Sequence, residues 1–153
     1  MLEEWRRPSS AAVVERVVVE EEQSPAESGE QPKTKEELIK WLIQWQKGGE
    51  RKHLHGPPNS WNVSLITDMS GLFQNHELKN FNDAIGGWNV GQVTNMNRMF
   101  CGASSFNQLL NQWNVGQVTS MIQMFACASS FNQPLNEWNV GQVTNMHGMF
   151  GAR

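Results

Sequence analysis

Charge is scarce in the second part of the sequence. Residues 61–153 contain three basic and four acidic residues, whereas residues 1–60 contain nine basic and eleven acidic ones. A surface with so few cations cannot neutralise a row of phosphates or a layer of anionic lipid. We therefore expect neither nucleic acid nor a membrane surface to be a main partner of this chain.

Cysteine is also rare, and only Cys101 and Cys127 are present. They form no C-x-x-C pair and fall at different offsets in the repeats described below, so we do not expect their side chains to stack. This pattern favours buried thiols acting as small apolar side chains over a disulfide or a metal site. His53 and His55 have no third ligand near them in the sequence, so we expect no metal and no cofactor.

Long apolar runs are missing as well. The stretch from Ala11 to Val19 is interrupted by Glu15 and Arg16. It therefore forms neither an uninterrupted signal-peptide core nor a membrane span. We expect no membrane insertion, and the sequence leaves the localisation open.

What the sequence does contain is a repeat. Trp61, Trp88, Trp113 and Trp138 are spaced by 27, 25 and 25 residues, and each opens a phrase that reads WNVGQVTNMNRMF in the second copy. The links between phrases also recur, with A-S-S-F-N-Q in two of them. Such a period predicts a solenoid, because one unit cannot bury its own apolar face and must stack on a neighbour. Stacking in register predicts internal columns of Trp, Met and Phe.

The spacing inside a unit predicts its secondary structure. Val93, Met96, Met99 and Phe100 follow the i, i+3, i+6, i+7 pattern of a short helix. The link that begins at Phe106 reads as a brief strand, although the equivalent strand of the next unit contains Pro134, which lacks a ladder N–H. The predicted fold is therefore an α/β solenoid of about four strand-turn-helix rungs, with an all-β solenoid as the alternative.

Two sets of asparagines recur at fixed positions, and we interpret both as structural. A buried amide must be hydrogen bonded, and the backbone of the next rung offers partners at every step. The two predicted columns are Asn62, Asn89, Asn114 and Asn139, and Asn82, Asn107 and Asn132.

The N-terminal region divides into two parts. Residues 1–33 are acidic and rich in Pro, Ser and Gly, which predicts a disordered segment. Thr34 opens a capping box, and the apolar residues after it follow helical spacing. We expect residues 34–60 to form a helix and linker that cap the Trp61 repeat, or alternatively a free amphipathic peptide for a partner. Residues 61–153 are the repeat domain, with an incomplete last unit.

The repeated phrase and the link A-S-S-F-N-Q-P-L-N resemble the BspA-like bacterial surface protein repeat over residues 61–150. This resemblance implies a right-handed, leucine-rich-repeat-like solenoid with a short-stranded parallel sheet along one side. It also implies a role in adhesion and protein binding, and it carries over no catalytic residue.

Catalysis requires unlike groups that converge on one place, whereas a regular stack supplies like groups in rows. We therefore expect a non-catalytic module that binds a protein, with glycan binding as a more remote alternative. A second alternative is a structural or truncated repeat fragment without binding activity of its own. The candidate binding residues are the variable ones of the links, namely Asp83, Gln108, Leu109, Gln133, Pro134 and Glu137. The uncapped last rung further predicts self-association.

Overall fold

The computed structural model describes residues 30–49 and 54–151. Most of the segment predicted to be disordered, and also His53, lie outside the described residues. Within the described ranges there is one α-helix, α1 (Lys35–Lys47), and two short 3-10 helices, Pro58–Ser60 and His76–Leu78. The remainder of the described chain consists of turns, loops and isolated β-bridges.

Helix α1 begins and ends as the capping signals predict. The hydroxyl of Thr34 accepts a hydrogen bond from the N–H of Glu37 at 3.2 Å. The carboxylate of Glu37 in turn accepts one from the N–H of Lys33 at 2.7 Å. Gly48 follows the last turn with a φ of +69°, and its N–H donates to the carbonyl of Trp45. These bonds satisfy backbone groups that the helix ends would otherwise leave without partners.

The predicted fold class is wrong. The described repeats contain no α-helix, and their β-structure is limited to isolated parallel bridges that link one repeat to the next without forming a sheet. Neither the leucine-rich-repeat-like solenoid of strand-turn-helix rungs nor its all-β alternative describes this molecule. The bridges connect Asp68 to Asn95, Asn95 to Ser120, and Ser120 to Asn145.

Backbone geometry explains why the repeat helix does not form. Arg98 has a φ of 55°, in the left-handed region that a right-handed helix cannot pass through. The N–H groups of Met96 and Arg98 therefore donate to the next repeat, to the carbonyls of Ser120 and Ile122 at 3.0 and 2.8 Å. We call these repeat-to-repeat backbone bonds the ladder. The other residues at the position of Arg98, also with positive φ, are Gly71, Gln123 and Gly148.

The apolar spacing imitates a helix for a simple reason. Each repeat contains successive turns in which an N–H donates three residues back, as Met99 does to Met96 at 3.2 Å. Such turns return side chains to one side about every three residues, as a helix does. Val93, Met96, Met99 and Phe100 are therefore all fully buried, although they do not lie on a helix.

The predicted columns of aromatic residues are present. Phe73, Phe100, Phe125 and Phe150 stack one above another, with successive ring centroids 5.0, 5.2 and 5.5 Å apart. The link phenylalanines form a second column, in which Phe106 and Phe131 are 6.1 Å apart. Ring stacking at these distances contributes beyond the burial of apolar area, so the repeats stack in register through their cores.

The tryptophans also connect the repeats by hydrogen bonds. The indole N–H of Trp113 donates to the carbonyl of Ile85 at 3.1 Å, and that of Trp138 donates to Leu110 at 2.8 Å. Each of these carbonyls lies three residues before the preceding repeat tryptophan and also accepts the backbone N–H of that tryptophan. Because a buried indole N–H requires a partner, this bond fixes the distance between consecutive repeats.

Only one of the two asparagine columns connects repeats. The side-chain oxygen of Asn82 accepts the N–H of Asn107, and that of Asn107 accepts the N–H of Asn132, both at 2.9 Å. Asparagines of the other column, such as Asn114, instead accept the N–H two residues later in their own repeat. Most of these amides lie at the surface rather than in the core.

Helix α1 packs on the first repeat. Leu38 and Leu42 are fully buried, and the ring of Trp41 meets that of Trp61 edge to face at 5.4 Å. The indole N–H of Trp45 donates to the carboxylate of Asp83 at 3.0 Å. The helix therefore covers the side of the first repeat that has no preceding repeat.

Candidate functional site

The structure uses three of the six predicted binding residues to hold the molecule together. Asp83 accepts the indole hydrogen bond from α1 described above. The side-chain amide of Gln108 donates to both the backbone and side-chain oxygens of Asn82, and Gln133 does the same to Asn107. These side chains connect elements of the fold, so they are only partly available to a partner.

The other three predicted residues lie on the surface. Leu109 is 64% exposed, and Pro134 occupies the equivalent position in the next link and is exposed as well. Glu137 is exposed, and its carboxylate accepts a hydrogen bond from Asn136 at 3.1 Å. We call Leu109, Pro134 and Glu137 the link surface. Their role in binding stays a prediction.

A groove of about 460 Å³ lies on a part of the repeats that the sequence did not single out. The ladder forms its base, since the N–H of Gly71 donates to Asn97 at 2.9 Å and that of Arg98 to Ile122 at 2.8 Å. Gly71 and Arg98, which both line the groove, have backbone φ angles in the left-handed region. The lining residues are Ser70, Gly71, Gln74, Asn95, Asn97, Arg98 and Ile122.

The groove is polar and carries one charged lining side chain. Arg98 is exposed, and its Nε donates to the side-chain oxygen of Gln123 at 2.8 Å, which positions the guanidinium. The side-chain oxygen of Asn97 accepts the N–H of Ile122 at 2.8 Å and is thereby fixed. The groove therefore offers a positioned cation and amides for hydrogen bonding.

An ion pair connects one end of the groove to α1. Lys35 donates to the hydroxyl of Ser70 at 3.1 Å and lies 3.5 Å from the carboxylate of Asp68. Burial by itself raises the pKa of Asp68, but hydrogen bonds from Ser70 and the nearby ammonium of Lys35 outweigh it and lower that pKa. Asp68 is thus held as a carboxylate paired with α1.

The sequence does carry a signal for this site, in two positions that vary while their neighbours repeat. On the predicted repeat helix, these positions would lie on the face turned to solvent. In the structure these positions adjoin the ladder and contribute to the groove. The variable residues are Asn97, Ile122 and His147 at one position, and Arg98, Gln123 and Gly148 at the other.

The described thiols and histidines form no metal centre. No group of three or more His, Cys, Asp or Glu residues in the described ranges is arranged to hold a metal ion. His55 stacks on Trp41 with ring centroids 3.5 Å apart, and burial lowers its pKa despite the opposing effect of Glu30. Cys101 is half-buried and Cys127 is exposed, so the prediction of two buried thiols is wrong.

No helix among the described residues has the length and apolarity that a membrane span requires.

Comparison with known proteins places the chain in a family. Residues 48–153 match the family described as "Mycoplasma protein of unknown function, DUF285". A search of curated proteins gave no match, and a search of solved structures gave none either. Since the matched region covers all four repeats and more than half of the chain, the protein belongs to the DUF285 family.

Proposed function

We propose that this protein is a non-catalytic module that binds another protein through the groove. The observation that carries the proposal is the combination of a hydrogen-bonded backbone ladder with side chains that differ from repeat to repeat. Such a surface is ordered before a partner arrives, so little conformational entropy is lost on binding. The differing side chains supply specificity along the groove.

The composition of the groove supports binding rather than chemistry. Among its lining residues Arg98 is the only ionisable one, and the one lining hydroxyl, that of Ser70, takes part in the ion pair of Lys35 with Asp68. A reaction site needs a nucleophile and acid–base groups that converge within hydrogen-bonding distance of a substrate. A single positioned guanidinium is instead suited to a carboxylate, which it can bind through two parallel hydrogen bonds.

A protein partner fits the groove better than a glycan does. The four repeat tryptophans are buried, so they are not available to stack on a sugar ring. Positioned amides and one cation suit an extended peptide that carries an acidic residue. The resemblance of the repeat to BspA-like surface proteins supports the same choice.

Binding to a peptide array tests the proposal. The array carries extended peptides with and without acidic residues, and a glycan array is probed in parallel. The groove variant is Arg98→Gly, because the first and fourth repeats carry glycine at this position and the backbone there is left-handed. The matched control is Lys79→Ala, which removes an exposed cation outside the groove.

We expect acidic peptides to bind the wild-type protein and Lys79→Ala equally, and Arg98→Gly at least about tenfold more weakly. A third variant, in which Leu109, Pro134 and Glu137 are all replaced by alanine, tests the link surface. Loss of binding in this variant alone would assign the site to the link surface. The absence of saturable binding to any peptide would support a purely structural role, and binding only to glycans would reject a protein partner.

A further inference from the structure

Two thiols lie on consecutive repeats, close to each other along the ladder. The N–H of Gly102 donates to the carbonyl of Ala126 at 2.8 Å, so these two segments run side by side. Equivalent residues of the second and third repeats are 25 positions apart, which aligns Cys101 with Ala126. Cys127 therefore lies one residue further along the adjacent segment.

This placement brings the two cysteines within reach of each other. Hydrogen-bonded neighbouring segments are about 4.8 Å apart and one residue advances the chain by about 3.3 Å, so the diagonal between the two Cα atoms is about 6 Å. Disulfides span Cα separations of roughly 4.4–6.8 Å. The pKa of Cys101 supports the proximity, because it is raised first by burial and then by the negative charge of Cys127.

The two thiols differ in their access to solvent. Cys127 is exposed and occupies the left-handed turn position that Gly102 occupies in the preceding repeat, with a φ of 58°. Cys101 is half-buried. A reagent in solution therefore reaches Cys127 first, and Cys101 is placed to react second.

We propose that Cys101 and Cys127 form a disulfide that links the second repeat to the third when the protein meets a small-molecule disulfide such as oxidised glutathione. The thiolate of Cys127 attacks the reagent, whose sulfur–sulfur bond breaks to release one reduced glutathione and leave a mixed disulfide. The thiolate of Cys101 then attacks the sulfur of Cys127 and expels the second glutathione. The protein is oxidised by two electrons, and the reagent is reduced by two.

The bond closes a loop of about 26 residues that includes the third tryptophan phrase, and it constrains the unfolded chain. It also joins the two segments that carry Arg98 and Ile122, which both line the groove. The inference does not depend on the groove having a partner, because it rests only on the positions of the two thiols.

Thiol counting and thermal unfolding test the proposal on the full chain. After equilibration with oxidised glutathione, we expect no free thiol, an intact mass lower by two hydrogen atoms, and a cross-linked peptide joining Cys101 to Cys127. We also expect the midpoint of thermal unfolding to rise by about 10 °C. A reducing agent should reverse all of these changes.

The repeats themselves provide the control variants. Cys101→Ala introduces the residue that the third repeat has at the equivalent position, 126. Cys127→Gly introduces the residue that the second repeat has at the equivalent position, 102. Neither variant should show an oxidation-dependent shift in its unfolding midpoint. Two free thiols after oxidation, stable mixed disulfides with glutathione, or cross-links only between molecules would each overturn the proposal.

Discussion

The second and fourth repeats begin with the same nine residues, W-N-V-G-Q-V-T-N-M, yet they are buried to very different degrees. Met96 is completely buried, whereas the equivalent Met146 is 39% exposed. Phe100 is also completely buried, whereas Phe150 is 44% exposed. Within the part of the chain that the structure describes, the second repeat has a neighbour on both sides and the fourth has one on a single side, so burial here depends on the neighbours.

The first repeat shows how a different element can take the place of a neighbour. Helix α1 covers it with Leu38 and Leu42, and adds an ion pair between Lys47 and Glu77 with a distance of 2.9 Å. Met69 and Phe73 of the first repeat are consequently as buried as their equivalents in the second repeat. An amphipathic helix therefore protects the apolar edge of a repeat as well as another repeat does.

Replacing equivalent phenylalanines by alanine tests the comparison between the second and fourth repeats, and it has the largest expected effect. Phe100→Ala should lower the free energy of unfolding by about 3–5 kcal/mol, because it leaves a cavity in a column of closely packed rings. Phe150→Ala should cost less than about 2 kcal/mol, since its ring is partly in water already. Urea denaturation measures both values, and equal losses would show that the fourth repeat is covered in solution.

A variant of α1 tests whether the helix stabilises the first repeat as a neighbouring repeat would. Leu42→Ala should lower the free energy of unfolding by about 2–5 kcal/mol, the usual range for a fully buried leucine. The exposed Lys40→Ala in the same helix serves as the control and should change it by less than about 0.5 kcal/mol. If the two variants are equally stable, α1 does not hold the first repeat.

The exposed side of the fourth repeat also allows a test of self-association. The self-association predicted from the sequence would bury Val140, Met146 and Phe150 against a second copy. One repeat offers a small contact area, so we expect weak dimers that form only at high protein concentration. Sedimentation velocity should show them in the wild-type protein and in the control Leu109→Glu, but not in Val140→Glu. A monomer at every concentration would contradict the prediction.

Acidification should weaken the ion pair between α1 and the first repeat. Of the stability changes predicted here, this one should be the smallest. The pKa of Asp68 is lowered in the folded protein, so the unfolded chain binds the proton more readily. Its contribution is therefore present above the ordinary value of 3.8 and is lost as the pH falls through the lower folded value. We expect less than about 1 kcal/mol, because the carboxylate is half exposed.

Urea denaturation at pH 3 and pH 6 measures this difference. Asp68→Asn should reduce the loss of stability on acidification, and Glu36→Gln, an exposed residue of α1, should leave it unchanged. If Asp68→Asn loses as much stability as the wild-type protein, the ion pair with Lys35 does not contribute.

The sequence predicted the structure correctly where a local pattern of residues is compatible with only one structure. The hydroxyl of Thr34 and the carboxylate of Glu37 can satisfy the first N–H groups of a helix, and they do so in the structure. It failed for Val93 to Phe100, because successive turns and a helix place apolar side chains at similar spacing. It also missed the groove. Variable residues indicate an exposed surface, but they do not predict the backbone conformation that forms that surface.

The sequence alone determined the repeat length, the register of the columns and the identity of the core residues, since these follow from which positions are apolar and how often they recur. Only the tertiary structure decided the path of each repeat, the exposure of the fourth repeat and the proximity of Cys101 to Cys127. The physical reason is that many backbone N–H groups of the repeats, such as those of Met96 and Arg98, find their partners about 25 residues away. A residue's conformation and burial are therefore determined by the neighbouring repeat, which the local sequence does not contain.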